Sequence, residues 1–446
     1  MSKNIVLKKG LDIPVEGAAE LRLSKTVDPR TVAIEPTAFK GLVPRLLVKE
    51  GDRVLAGSPV MADKKNPDIL LASPVSGTVR EIVRGEKRKL LAVLVEADDT
   101  KEYLKSEPKA GDAAEVRQSL LQSGLWPFLI QRPYGIVADP AATPKAIFVS
   151  AFSSAPLAAD TEFTLGDRVN DIQAGINALA KIAKVNVGIG KASSAFAKLE
   201  NAEVRVFEGR HPAGNVGVQI NAVSPILKGD TVWTVSLTGL AAIGRYFSKG
   251  VYDVRRKVAV AGPAAIEPSY VSAVPGAPMK SLAGFYGGRT EGIRIVSGDI
   301  LTGKAVGADG FLGFFDDTVT IIREGTDTEL FGWALPIRYK QFSADRSYFS
   351  WLTPRRKYGM DTNLHGGPRA FVMNDSYYSR VLPMKGIFPV YLVKACLAGD
   401  IDKMEQFGIY QVLPEDLALC EYVDPSKNYI QDMVAQGIDL MLKEMA

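Results

Sequence analysis

Cysteine and histidine are scarce in this 446-residue chain: it has two of each, Cys396 and Cys420, His211 and His365. An iron–sulfur cluster takes four thiolates, commonly grouped within a few residues, and these two thiols stand 24 positions apart. No C-x2-C or H-E-x-x-H spacing occurs, so a conventional zinc or haem site is not written into the chain. Both cysteines are expected to be small buried apolar residues, and so few of them suit a reducing compartment. Long apolar runs are missing too: Ile387 to Ala398 is interrupted by Lys394 and falls short of the ~20 residues that span a bilayer. The segment Met1 to Lys9 has no apolar core followed by a small-residue cleavage site, so no export signal is expected. Neither sign of charge dominates. Lys+Arg 54 against Asp+Glu 50 leaves +4, too little over the whole chain to imply a nucleic-acid partner.

What is present is an ordinary globular balance, 46% hydrophobic and 23% charged, long enough for about two to four domains. From Val43 to Val95 short apolar runs are punctuated by Gly51-Asp52, Gly57-Ser58-Pro59, Asn66-Pro67 and Ser76-Gly77, which predicts a small all-β unit. Asp112 to Ser123 is expected to be a helix closed at Gly124, where glycine accepts the left-handed conformation. After Pro144 the pattern becomes alternating: strands at Ile147–Val149, Val185–Ile189 and Val204–Phe207, a helix capped by Asp167 with Val169, Ile172, Ile176, Leu179 and Ile182 on one face, and a short helix near Ser193 to Leu199. That order implies a parallel sheet of Rossmann type. A dinucleotide site needs glycines directly after the first strand, and Ser150-Ala151-Phe152-Ser153-Ser154 has none. Gly188-Ile189-Gly190-Lys191-Ala192-Ser193 carries two glycines and then a serine, so the nucleotide site is read as absent. Lys257 to Val306 reads as a small mixed β domain. Segments Val390–Leu397, Pro414–Tyr422 and Tyr429–Met445 read as helices, Pro414 opening one of them ahead of two acids.

The expected fold class is therefore multidomain, α/β and β. A biotinyl/lipoyl-like barrel-sandwich domain covers 1–100 and a degenerate Rossmann-like α/β domain 101–254. A small mixed β domain, which resembles β-grasp (SLBB-type) domains, covers 255–329, and a largely helical domain without iron–sulfur ligands 330–446. Val48 to Val54 and Ala72 to Val79 resemble the two halves of a biotinyl/lipoyl domain, whose cofactor swings on a hairpin lysine. Lys64 and Lys65 fall near that tip, but a biotin-carrying lysine has Met on both sides, and Asp63 and Asn66 stand here instead. The alternative function, a free-standing carrier or enzyme using a modified lysine, rests on those two residues. Between Leu330 and Tyr358 aromatic and basic side chains interleave, among them Phe331, Trp333, Arg355 and Arg356, a mixture suited to nucleic-acid bases, a membrane surface or another protein.

Six strings in order resemble the A subunit of the bacterial sodium-translocating NADH:quinone oxidoreductase, and more distantly the C subunit of the Rnf complex and the flavin-binding subunit of complex I. They are Leu7-Lys8-Lys9-Gly10-Leu11-Asp12-Ile13-Pro14, Ser73-Pro74-Val75-Ser76-Gly77 with Arg84-Gly85-Glu86-Lys87-Arg88, Ser123-Gly124-Leu125-Trp126, His211-Pro212-Ala213-Gly214, Glu329-Leu330-Phe331-Gly332-Trp333-Ala334, and Pro414 to Cys420. The resemblance implies a peripheral subunit, without a transmembrane helix, on the cytoplasmic face of the inner membrane. It implies a six-subunit translocase that oxidises NADH, reduces ubiquinone and exports sodium. In it NADH, flavins and iron–sulfur centres belong to partner subunits, no cofactor is bound covalently to this chain, and ubiquinone is a possible ligand. Members commonly carry a second cysteine four residues after the position of Cys420; Asp424 stands there. No catalytic or metal-binding residue is assigned. A quinone needs an apolar slot and a few donors, and His211 is the donor candidate. Phe331, Trp333, Arg355 and Arg356 are the partner-contact candidates.

Overall fold

Turn residues between Pro44 and Leu90 close two small antiparallel sheets on each other. The computed structural model describes residues 4–326, 332, 336–339, 341–353, 355–364 and 372–444. One of these sheets runs Thr31–Ile34, Leu90–Ala97, Gly77–Arg84, Arg53–Val54 and the other Pro44–Leu46, Pro59–Asp63, Leu70–Ala72. Alternation drives the packing: Val79, Val93 and Val95 are buried while Thr78, Arg80 and Glu96 face solvent, the two-residue period of a half-buried strand.

Residues before this unit go elsewhere. Asn4–Val6 pairs parallel with Ala202–Glu208, and Leu23–Thr26 pairs parallel with Ser269–Ala273. Two short strands near the start of the chain thus join the second and third sheets. Each is three or four residues long, too short to announce its partner, and each completes an edge left open by a later segment.

The second unit is built on a seven-stranded sheet ordered Asn4–Val6, Ala202–Glu208, Val185–Ile189, Ile147–Ser150, Val232–Thr234, Ile130–Arg132, Ile136–Val137. Its first five strands are parallel, and the last two form an antiparallel hairpin. From Ile147–Ser150 the chain steps outward twice, then returns to Val232–Thr234 on the opposite side, so the direction of winding reverses between these two strands. Helices Val169–Leu179 and Leu237–Lys249 cross closely. A Cβ on Gly244 would lie 1.7 Å from the Asp171 carbonyl oxygen, and one on Gly175 2.5 Å from that of Leu240.

The helix Ala113–Gln122 starts where expected, with Asp112 Oδ1 accepting from Glu115 N at 2.9 Å, and it closes at Gly124 with φ +72°. Two local expectations need correction. Asp167 caps nothing: its carboxylate meets Lys257 Nζ at 3.0 Å, and Asp160 instead caps a short helix, Thr161–Leu165, by accepting from Phe163 N at 3.0 Å. Ser193 to Leu199 is a run of turns rather than a helix. There Ser194 Oγ accepts from Phe196 N at 3.2 Å, the local side-chain bond that competes with helix formation.

The third unit is a six-stranded mixed sheet: Lys304–Ala305, Ile293–Ser297, Thr318–Arg323, Arg256–Ala261, Ser269–Ala273, Leu23–Thr26. The described part of 330–374 is mostly turns, with the 3-10 turn Phe349–Leu352, and the helices of the C-terminal region begin at Asp375. The helices Pro389–Ala398, Ala418–Val423 and Ile430–Glu444 share a core with Tyr378, Leu392, Cys396, Cys420, Val434 and Ile438. Both cysteines are buried and unpaired; burial pushes the Cys396 thiol up to about 11 and that of Cys420 further. Asp424, also buried, accepts from Tyr378 Oη at 2.8 Å and from Asn428 Nδ2 at 2.8 Å. Among the described residues no helix is long and apolar enough to cross a membrane.

Candidate functional site

Open parallel sheets bind ligands at the carboxyl ends of their strands where the winding reverses. A cavity of about 350 Å³ lies there, with Ser150 and Thr234 at the ends of the two diverging strands and Phe128, Phe152, Phe315, Arg132 and Glu415 on its walls. Phe315 comes from the loop before Thr318–Arg323 and Glu415 from the C-terminal region, so three units enclose one space.

Arg132, at the end of the strand Ile130–Arg132, is 2% exposed. Its Nη1 donates to Asp416 Oδ2 at 2.7 Å and its Nη2 to Glu415 Oε1 at 2.8 Å. Burial opposes the charge on this guanidinium, yet the two carboxylates outweigh it and hold its pKa above the ordinary value. Asp416 Oδ2 also accepts from Leu413 N at 3.0 Å. The Arg132 Nε and Asp416 Oδ1 have no hydrogen-bond partner among the described residues. Helix Val216–Val223 reaches this pair through a glycine: a Cβ at Gly217 would lie 2.2 Å from Asp416 Oδ2 and 2.5 Å from Arg132 Nη1.

The glycines that suggested a weak fingerprint have other work. A Cβ on Gly188 would meet Gln219 Oε1 at 2.1 Å, and one on Gly190 the ring of Phe152 at 3.0 Å. Phe152 occupies the loop where a dinucleotide fold would place glycine. Ser150 Oγ, which donates to the Gly214 carbonyl at 2.8 Å, accepts from Gln219 Nε2 at 2.8 Å. This closes the first strand's end with side chains.

His211 is not on the cavity wall; it is buried one layer behind Gly214, which is. Its backbone N donates to Asp12 Oδ1 at 2.9 Å, its Nδ1 lies 3.1 Å from Ser154 Oγ, and its carbonyl accepts from Leu11 N at 2.8 Å. Burial lowers its pKa, against the opposing pull of Asp299 and Asp12. Among the described residues no three His, Cys, Asp or Glu side chains are grouped to hold a metal ion.

Three family models match the chain in succession: the NqrA N-terminal barrel-sandwich hybrid domain over residues 5–98, the NqrA second alpha/beta domain over 111–252, and the NQRA C-terminal domain over 257–308. Curated relatives match nearly end to end. The chain is 37% identical to the A subunit of the Na(+)-translocating NADH-quinone reductase of Shewanella frigidimarina over 440 residues, covering 96% of this chain and 98% of that one. It is 36% identical to the Yersinia pestis (strain Angola) protein of that name over 95% and 96% of the two chains, and 33% to the Rhodopirellula baltica protein over 98% of each. The chain belongs to the NqrA family, the A subunits of Na(+)-translocating NADH-quinone reductases.

In this NqrA-family fold Lys64 and Lys65 sit at a hairpin tip between Pro59–Asp63 and Leu70–Ala72, and both are exposed. Asp63, itself buried, shapes that tip by accepting from the backbone N of Val43 at 2.9 Å, Lys65 at 3.3 Å and Asn66 at 3.1 Å. The family match gives no support to the carrier alternative built on these lysines. Arg355 and Arg356 are exposed, the latter stacked 5.6 Å over the ring of buried Tyr358. Phe331, Trp333 and His365 lie outside the described residues. Sequence reasoning missed Arg132, Asp416 and Gly217 of this NqrA-family chain. Their one legible signal was Pro414-Glu415-Asp416, read as helix chemistry rather than as the partner of an arginine 284 positions earlier.

Proposed function

We propose that this chain is a peripheral docking subunit of a Na(+)-translocating NADH-quinone reductase, which couples NADH oxidation and quinone reduction to sodium export. The observation that carries the reading is the near-complete overlap, in both directions, with relatives bearing that name. In this reading the complex has six subunits and the chain lies on its cytoplasmic face. NADH, flavins and iron–sulfur centres are held by partners. The α/β unit is a Rossmann-like domain that has lost its nucleotide loop, and the third unit is a β-grasp-like domain of the SLBB type. Both buried thiols, with pKa values raised by desolvation, are chemically quiet and serve the core.

Ubiquinone is assigned to the cavity where the sheet reverses. Its walls combine aromatic rings with a few hydroxyls and one buried guanidinium, the lining expected for a quinone head group. Trp233, which directly precedes the wall residue Thr234, is buried against Trp126 with the rings 5.4 Å apart. Titrating a short-chain ubiquinone into the purified chain is expected to quench their fluorescence saturably; a response no greater than that of free tryptophan would remove the quinone from this polypeptide. The larger reading is tested by affinity-tagging the chain in its host and solubilising membranes in mild detergent. Sodium-stimulated NADH-quinone reductase activity is expected to co-purify, with the flavin running on other polypeptides.

A further inference from the structure

We propose that the turn Phe349–Leu352 and its basic surround form a wedge that enters the headgroup layer of an anionic lipid surface. This rests on the peripheral placement given above and goes beyond it by naming what touches the lipid. Phe349, Trp351 and Leu352 are 52%, 47% and 61% exposed, whereas Ser350 between them is buried. Three large apolar side chains thus leave one short 3-10 turn on its solvent side. Phe349 N donates to the Pro336 carbonyl at 2.9 Å, which brings the segment carrying exposed Ile337 and Tyr339 alongside. Arg346 stacks 5.6 Å over the Trp351 ring, and Arg355, Arg356 and Lys357 are exposed just beyond the turn.

The charge is concentrated to match. Residues 336–358 hold six Lys and Arg against one acid, Asp345, a net +5 in 23 residues of a chain whose whole charge is +4. Asp345 is engaged by the Ser343 and Ser347 hydroxyls at 3.1 and 2.6 Å. Tryptophan and tyrosine favour the membrane–water boundary, with the ring in the apolar zone and cations among the headgroups. Each Lys or Arg close to an anionic surface raises affinity by about fivefold, within reach of the screening length. A tip that is apolar, flanked along the chain by cations and nearly free of acid meets both demands of such a surface without requiring a concave protein partner.

Vesicle flotation with the purified full-length chain tests this directly. Vesicles of phosphatidylglycerol and phosphatidylcholine in equal parts are expected to carry the chain at low salt and release it as salt rises, while phosphatidylcholine alone carries little. Arg355→Glu with Arg356→Glu, both on the surface and therefore compatible with folding, is expected to lower partitioning by at least about tenfold. Trp351→Ser with Leu352→Ser should weaken it at every salt concentration, with circular dichroism and thermal melting confirming the fold. Equal binding to both vesicle types, or binding that ignores all four substitutions, would overturn the proposal. So would a chain that ignores every vesicle yet restores reductase activity to membranes stripped of it. In that case the wedge meets a protein, and the proposed function stands without lipid contact.

Discussion

A methyl group on Gly217 has no room, because it would fall within 2.5 Å of both charged partners of the buried ion pair. Gly217→Ala is accordingly expected to lower unfolding free energy by about 1–3 kcal/mol in denaturant titration. Arg132→Met removes the guanidinium that bonds both Asp416 and Glu415 and is expected to cost about 3–5 kcal/mol, since the buried Asp416 carboxylate loses its ion-pair partner. Adding Asp416→Leu should recover much of that loss; a double variant no more stable than the single one would show that the pair is not the source. His211 gives a pH signature. Burial favours its neutral form, so its folded pKa lies below the ordinary ~6.5. Its contribution to stability is complete above pH ~6.5 and shrinks as pH falls towards the folded value, because the unfolded chain then binds more protons. Melting temperatures between about pH 5 and 8 should therefore decline more steeply for the native chain than for His211→Gln; equal slopes would place the titration elsewhere. None of these roles was legible in the sequence. A lone arginine, glycine or histidine acquires its meaning from a neighbour hundreds of residues away, as Arg132 does from Asp416.

Elements with their own local logic were readable. Asp112, Glu115 and Gly124 state the helix Ala113–Gln122 at both ends, and the apolar strand Val185–Ile189 reads as fully buried because it is. Where two local solutions competed, reading failed. Asp167 and Asp160 both precede helical residues, and only the backbone geometry decides that Asp160 caps. The crossing of Val169–Leu179 with Leu237–Lys249 depends on glycines whose purpose no periodicity reveals. Gly244→Ala would drive a methyl to 1.7 Å from the Asp171 carbonyl and is expected to destabilise by more than about 2 kcal/mol, measured by chemical denaturation. A loss below about 0.5 kcal/mol would mean that the helices part easily at this crossing.

At the scale of the whole molecule, the order of a barrel-sandwich unit, an α/β unit and a C-terminal region with helices was legible, but not their stitching. The short strands Asn4–Val6 and Leu23–Thr26 tie the beginning of the chain into the second and third sheets, pairings that depend on edges formed by residues beyond 200. Deleting residues 1–26 is expected to expose both edges and make the remainder prone to proteolysis and association, although the small all-β unit keeps its own sheets. The cavity likewise belongs to no single unit, which is why no motif announced it. Its walls meet only when the C-terminal Glu415 arrives beside a strand laid down near residue 130. The role proposed for this chain is that of an indispensable part of a Na(+)-translocating NADH-quinone reductase. It is tested most directly by deleting the gene from its host and measuring NADH-quinone reductase activity of the membranes with and without sodium. Loss of the sodium-stimulated part, restored by the returned gene, is the expected result; membranes that keep full sodium-stimulated activity without the chain would contradict it.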